Sequence, residues 1–280
     1  MKHTFLRRFV KHRIATVALI LLVIEVLAVI FLPYILNLDP YTTNVIEMNR
    51  APSSAHWLGT DTVGRDVFAR LVYGGRNSLL IGVLSTVISV LIGLPLGLIA
   101  GYYKGWLSIF IMRVADMFQS FPSMIIVLVV VALFGSSVSS ITIILGVLGW
   151  PAIARLLNAN VMAEREKEYV LAARTTGVRS PVILVRYILP NAISPLWMSL
   201  AFRISQAMIM ESGLSFLSAG VQPPEASWGN IMQSANSLLV LTSRPWMWAP
   251  AGLCLIVTIV CINFVGEGIR DALDPKLKRL

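Results

Sequence analysis

The chain has 280 residues, 56% of them hydrophobic and 13% charged, with a formal net charge of +9. A soluble domain carries roughly a quarter charged residues, so this composition and its long apolar runs exclude a water-soluble globule. A basic surplus can also mark a nucleic-acid partner, but its distribution along the chain argues for a membrane instead.

Six apolar stretches approach the ~20 residues that a membrane helix needs, near 14–36, 78–101, 117–134, 140–157, 193–213 and 249–265. The expected fold is therefore all-α, a polytopic membrane protein with about six transmembrane helices. The first run contains Glu25 and Pro33 and ends in Asn37-Leu38-Asp39-Pro40 without a small-residue cleavage site. It also exceeds the ~7–15-residue core of a secretory signal, so it reads as a retained helix. Gly82, Gly93, Gly97 and Gly101 in the second run suit close helix packing. Arg113, Asp116 and Pro122 crowd the start of the third, the weakest of the six. In the last, Cys254 and Cys261 stand seven residues apart, about 10 Å of helical rise. That is too far for a disulfide, and both read as packing residues.

Lys and Arg fall mainly in 1–13, 102–116, 155–190 and 270–280, which hold 17, against 5 in the alternate loops. Positive charge collects in cytoplasmic loops, so both termini are expected inside. Loops 37–77 and 214–248 then lie outside, with turn residues at Ala51-Pro52-Ser53-Ser54, Gly59-Thr60-Asp61, Gly74-Gly75 and Gln222-Pro223-Pro224-Glu225. Trp57, Trp228, Trp246 and Trp248 near these loops fit an interfacial aromatic belt. The chain divides into residues 1–77, a first helix with its extracytoplasmic loop, and residues 78–280, a five-helix core.

The inner loop, about 158–192, is long and charged, reading EREKEYVLAARTTGVRSPVILVRYILPN over 164–191. Residues 163–176 favour helix, Gly177 stops it, Ser180-Pro181 caps and opens a second helix, and Pro190 ends that one. Ala172 and Ala173 would expose a small-sided patch. From the residues alone, two readings stand: a solvated amphipathic linker, or a surface on which a partner docks.

This segment resembles the EAA loop of ABC importer permeases, Glu-Ala-Ala, three residues, Gly, nine residues, then Ile-x-Leu-Pro. Ala172, Ala173, Gly177, Leu189 and Pro190 match, while Leu171 replaces the Glu and Tyr187 the Ile. The peptide/nickel branch favours Glu-Tyr-Val-x-Ala-Ala-Arg, as 168–174 read here. Similar to that branch are Leu58-Gly59-Thr60-Asp61 with Gly64-Arg65-Asp66 and Arg76-Asn77-Ser78-Leu79, and Met112-Arg113-Val114-Ala115-Asp116 with Phe121-Pro122. So are Leu214-Ser215-Phe216-Leu217 through Pro223-Pro224 and Ser227-Trp228-Gly229, and 266–273 followed by Asp274-Pro275. Ser218-Ala219-Gly220 departs from the usual Gly-Leu-Gly.

The resemblance covers nearly the whole chain. It implies a type I ABC permease fold and the C-type permease of a pair, importing di- or oligopeptides across a bacterial or archaeal cytoplasmic (inner) membrane. Nickel or a metallophore is the alternative cargo. The implied partners are a homologous second permease, two cytoplasmic ATPases and an extracytoplasmic solute-binding protein. In the family the short helix of this loop sits in an ATPase groove, a role that falls here on Glu168, Ala172, Ala173, Arg174 and Gly177. The chain has no G-x-x-x-x-G-K-[ST], so ATP and Mg belong to the partners, and no cofactor or metal is assigned to it.

Glu25, Arg203, Glu211 and Glu267 lie in or near apolar spans, where a charge costs roughly 2.5–3.5 kcal/mol at the centre. Arg203 and Glu211 are candidates for the substrate pathway, Arg203 attracting an anionic group such as a peptide carboxylate. The competing reading of Arg203 is an interhelical structural bond, to Glu25 or to the second permease. A secondary transporter or channel is the alternative class. An enzyme has less support: His3, His12 and His56 lie outside the spans, and neither H-E-x-x-H nor G-x-S-x-G occurs.

Overall fold

The computed structural model describes residues 8–273. Lys2, His3 and Arg7, and Asp274-Pro275 with the basic residues after them, lie outside these. Every regular element among the described residues is helical, apart from one bridge pair, Thr60 with Asp66. Four helices are long and apolar enough to cross a membrane, and two bent pairs raise this to six.

Helix α1, Arg13–Ile35, starts where His12 Nδ1 accepts from the Ala15 N–H at 3.2 Å. Most of its large apolar side chains are exposed, as suits lipid. Helix α2, Val67–Tyr102, is 36 residues long, about 54 Å, and so projects beyond a ~30 Å hydrocarbon core. Its expected start at 78 is wrong. Asp66 caps it by accepting from the Ala69 N–H at 2.7 Å, and Gly74-Gly75 is helical rather than a turn. Those two glycines serve close approach instead. A Cβ on Gly74 would lie 3.0 Å from the Ser227 backbone, and one on Gly75 would lie 2.7 Å from the Trp228 ring.

The third span is not one helix over 117–134. Helix α3, Trp106–Ser120, and helix α4, Ser123–Phe134, meet at 81° across Phe121-Pro122. The charges that crowd this region sit on α3, where Asp116 accepts from Arg155 Nη2 at 2.6 Å. Helix α5 is Val138–Glu164, opened by Ser137, whose Oγ accepts from the Ser140 N–H at 3.0 Å. Helices α6, Glu168–Thr175, and α7, Ser180–Ala192, form the long loop, and α7 meets α8, Leu196–Phe216, at 70°. Short helices α9, Trp228–Met232, and α10, Leu238–Ser243, precede α11, Ala249–Leu273.

The helices pack in the order α1, α11, α8, α2, α5, with α3 and α4 against α5. The tightest seam joins α2 to α5. There Gly93 faces Trp150 and Ile153, Gly97 faces Ala154 and Leu157, and Gly101 faces Asn158 and Val161. Gly82 likewise admits Met208 of α8. Cys254 and Cys261 are free thiols on α11, Cys261 buried.

Loops 37–66 and 217–248 build a cap at one end. Trp228, expected in an interfacial belt, is 1% exposed and plugs the cap, its Nε1 donating to the Leu71 carbonyl at 3.0 Å. Arg70 ties the two loops together, donating to the Pro40 carbonyl and to Asn230 Oδ1. His56 clamps the first loop to α2, with Nδ1 2.7 Å from Asp66 and Nε2 3.3 Å from Glu47.

Gly97→Leu should drive a side chain against the Ala154 backbone and lower stability by about 1–3 kcal/mol, the usual cost of overpacking, read as a lower melting temperature in detergent. The hydrogen bond to Asp66 is the main cause that raises the His56 pKa; burial opposes it and Glu47 adds to it. A raised pKa gives stability that is complete below the unfolded value of about 6.5 and is lost as pH rises through the folded value. The melting temperature of the wild type should therefore fall relative to His56→Gln as pH rises above about 6.5.

Candidate functional site: the basic-end loop and the Arg203 cavity

The segment between α5 and α8 folds back on the inner end of α2. Helix α5 stops at Glu164 because Arg165 turns inward, 8% exposed, and donates from Nη1 to the Tyr102 carbonyl at 2.6 Å. The continuous helix expected over 163–176 is broken there. Helix α6 then buries Val170 and Ala173 among Leu98, Tyr102, Val161, Ile183, Leu184 and Ile188. Its other face, with Glu168, Leu171, Ala172 and Arg174, is exposed.

Ala173, expected on a small-sided outer patch beside Ala172, is thus 6% exposed and faces the body of the protein. The 3.6-residue period puts adjacent residues 100° apart, so these two alanines divide between inner and outer faces. Arg174 is also engaged, its guanidinium 5.0 Å from the centre of the Tyr102 ring. Gly177 has φ +77° and closes α6: its N–H bonds the Arg174 carbonyl, and the Val178 N–H bonds the Ala173 carbonyl, both at 3.1 Å. This is a Schellman ending, where glycine takes a left-handed conformation at little cost.

Helix α7 departs from expectation in two ways. Arg179 stands at its N-cap and no side chain caps it, so Ser180 is inside the helix, with Pro181 in the first turn. Pro190 does not end it. A π turn, Ile183–Ile188, opens the hydrogen-bond ladder just before the ring, and the helix runs on to Ala192. Tyr169 staples the two helices, donating to Glu164 Oε2 at 2.5 Å and accepting from Asn191 Nδ2 at 3.1 Å. Burial and then the bond to Glu164 push its phenol up to about 12.

Arg203 of α8 lines a cavity of about 610 Å³ together with Phe118, Gln119, Ser123 and Gln206. The Phe121-Pro122 break lies in the same wall. Arg203 Nη2 donates to the Leu145 carbonyl at 2.8 Å, while Nε is buried with no hydrogen-bond partner. Gly149 makes the room, since a Cβ there would collide with the guanidinium. The anticipated partner Glu25 is elsewhere: it accepts from Thr258 Oγ1 at 2.5 Å, joining α1 to α11.

Glu211 is not beside Arg203. It is 0% exposed and absent from the lining of the Arg203 cavity. It accepts from Ser215 at 2.7 Å, Ser78 at 3.3 Å and Ser212 at 3.4 Å, and Ser78 in turn accepts from the Trp228 N–H at 3.1 Å. The carboxyl therefore pins α8, α2 and the cap together. Glu267 is exposed on α11. Sequence reasoning missed Tyr102 and Arg165, because their meeting depends on a chain reversal that no local pattern announces.

A bent-helix bundle with a basic-end loop docked under its longest helix is the fold of a type I ABC permease. It is similar to the solved inward-facing MetNI methionine ABC transporter, with a TM-score of 0.61 at 21% identity over 73% of this chain and 96% of that one. The chain belongs to the binding-protein-dependent transport system inner membrane component family, which residues 93–279 match. Residues 2–52 match the N-terminal transmembrane domain of oligopeptide transport permease C. A putative peptide permease of Brucella suis is 40% identical, covering 96% of this chain and 89% of that protein. The glutathione transport system permease GsiD of Pectobacterium atrosepticum is 37% identical, covering 98% and 91%. Membership makes this chain a membrane transport component that works with an ATPase and a binding protein.

Glu211→Ala should strand the Ser78, Ser212 and Ser215 hydroxyls and cost about 1–3 kcal/mol for a buried group left unpartnered. Glu211→Gln, which keeps an acceptor, should cost less; melting in detergent compares the two.

Proposed function

We propose that this chain is the C-type permease subunit of an ATP-driven importer of di- and oligopeptides. It pairs with a second, homologous permease, and two cytoplasmic ATPases hold the ATP and Mg. Both termini and α6 lie on the cytoplasmic side, and a solute-binding protein delivers peptide at the cap. The observation that carries this reading is the outer face of α6, a helix braced from behind whose Glu168 and Ala172 remain exposed. Glu168 and Ala172 meet the ATPase groove, Val170, Ala173 and Gly177 seat the helix, and Arg174 faces Tyr102 instead of the groove. ATP binding draws the ATPases together, the coupling helices follow, and the permease pair alternates between outward- and inward-open cavities.

The substrate class rests on Arg203 and on the peptide and glutathione permeases among the relatives. A guanidinium in the wall of a largely apolar cavity that also holds Gln119, Ser123 and Gln206 favours a carboxylate, and it repels a bare metal cation. A carboxylate-bearing chelate shares that chemistry, so the substrate panel includes one. Glu211 acts here as a structural brace rather than as part of the path.

The test uses the full complex in proteoliposomes. Glu168→Lys and Ala172→Arg should each reduce uptake by about tenfold, equivalent to ~1.4 kcal/mol of lost docking, and release ATPase during purification. Arg203→Gln should slow uptake of peptides with free carboxylates by about tenfold or more, from the ~1.5–3 kcal/mol of a charge-assisted bond, and spare amidated peptides. Normal uptake by all three variants would sink the reading.

A further inference from the structure

Tyr102, the last residue of α2, meets the loop in three ways. Its carbonyl accepts from Arg165, its ring lies under Arg174, and its side chain packs against Val170 and Ala173 of α6. Arg165 Nε also bonds Glu166 at 3.2 Å, and Glu166 accepts at 2.9 Å from Lys104, just beyond the end of α2. A chain of polar contacts therefore ties the end of α2 to the residues that lead into α6.

Behind this junction, α2 cannot move without α5. Gly93, Gly97 and Gly101 each bring α2 against α5, and a Cβ at Gly97 would lie 2.6 Å from the Ala154 carbonyl oxygen. A seam this close resists sliding, because packed interfaces switch between discrete arrangements rather than deform smoothly. The loop's other exit is different. Helix α7 meets α8 at a 70° bend with a short break before Leu196, and hinges are a few element-terminal residues of that kind.

We propose that Tyr102 is the positioning residue through which displacement of α6 enters the membrane. Arg174 and Arg165 pass the displacement to Tyr102, the α2–α5 pair takes it up as one body, and the α7–α8 bend absorbs the relative motion. This rests on the coupling role of α6 proposed above and specifies what lies behind it.

The test measures, on the reconstituted complex with its ATPases and binding protein, three quantities: ATPase retained on purification, substrate-stimulated hydrolysis, and peptide taken up per ATP hydrolysed. Tyr102→Leu and Arg174→Gln should keep the ATPases and hydrolyse normally while uptake per ATP falls about two- to fivefold, the worth of an exposed cation–π contact. Tyr102→Phe, which keeps the ring, and Arg174→Lys, which keeps the charge, should restore the ratio. The double variant Tyr102→Leu/Arg174→Gln should be no worse than the worse single one, since both remove one contact. The proposal is overturned by a wild-type ratio in both single variants, by losses that multiply in the double, or by ATPases that detach in either single variant. Melting in detergent confirms that each variant is folded, and Arg174→Gln, on an exposed residue, carries the test if Tyr102→Leu does not fold. Glu168→Lys, run alongside, reports on docking alone through ATPase retention, a readout that the Tyr102 and Arg174 variants should not move.

Discussion

The seam between α2 and α5 is the constraint on which the rest of the molecule depends. In lipid no hydrophobic gain draws two apolar helices together, so close packing of small residues must do it. Gly93, Gly97 and Gly101 place one helix backbone against the other over two turns. Their position sets where α2 ends, and with it where Tyr102 receives the basic-end loop. Toward the other end, Gly82 lets Met208 of α8 approach, so α2 is the common wall of the bundle.

Two ionisable groups of α8, Arg203 and Glu211, lie inside the bundle, and they differ in kind. Glu211 is enclosed by serines and holds the cap to the helices. Arg203 lines a cavity and is only partly satisfied, with one bond to a carbonyl and a buried Nε that has no hydrogen-bond partner. A buried polar group with all its partners braces a structure, whereas a charge in a cavity wall supports the substrate-path role proposed for Arg203. They stand eight residues apart on the same helix, so their distinct surroundings separate their roles more than their place in the sequence does.

The basic-end loop is shaped by the same division between inner and outer faces. Val170 and Ala173 anchor α6, and Gly177 ends it in a way that returns the chain toward α7. What remains outside is a narrow surface around Glu168 and Ala172. A helix eight residues long is marginal by itself in water. It persists here because Val170 and Ala173 are buried behind it and Arg165 and Tyr169 fix its start to its neighbours. A stiff support of this kind lets a small push be passed on rather than absorbed.

Much was legible in the sequence. Long apolar runs dictate helices in lipid, since no other arrangement satisfies the backbone locally, and glycine spacing announced the α2 seam. The loop's motif gave the family, and Gly177 its turn. Other features depended on neighbours far along the chain. The glycine pair at 74–75 carries no local sign that it serves Trp228 rather than a turn. Pro190 ends a helix by local rules, and only the π turn before it shows why the chain continues. Which of Ala172 and Ala173 faces outward, and whether Arg203 meets Glu25 or a carbonyl of α5, are set by how whole helices rotate against one another. Sequence by itself determined the elements and their class, because propensity, apolar length and turn chemistry act locally. Tertiary structure alone decided which side chains meet, because that depends on the phase of each helix against its neighbours.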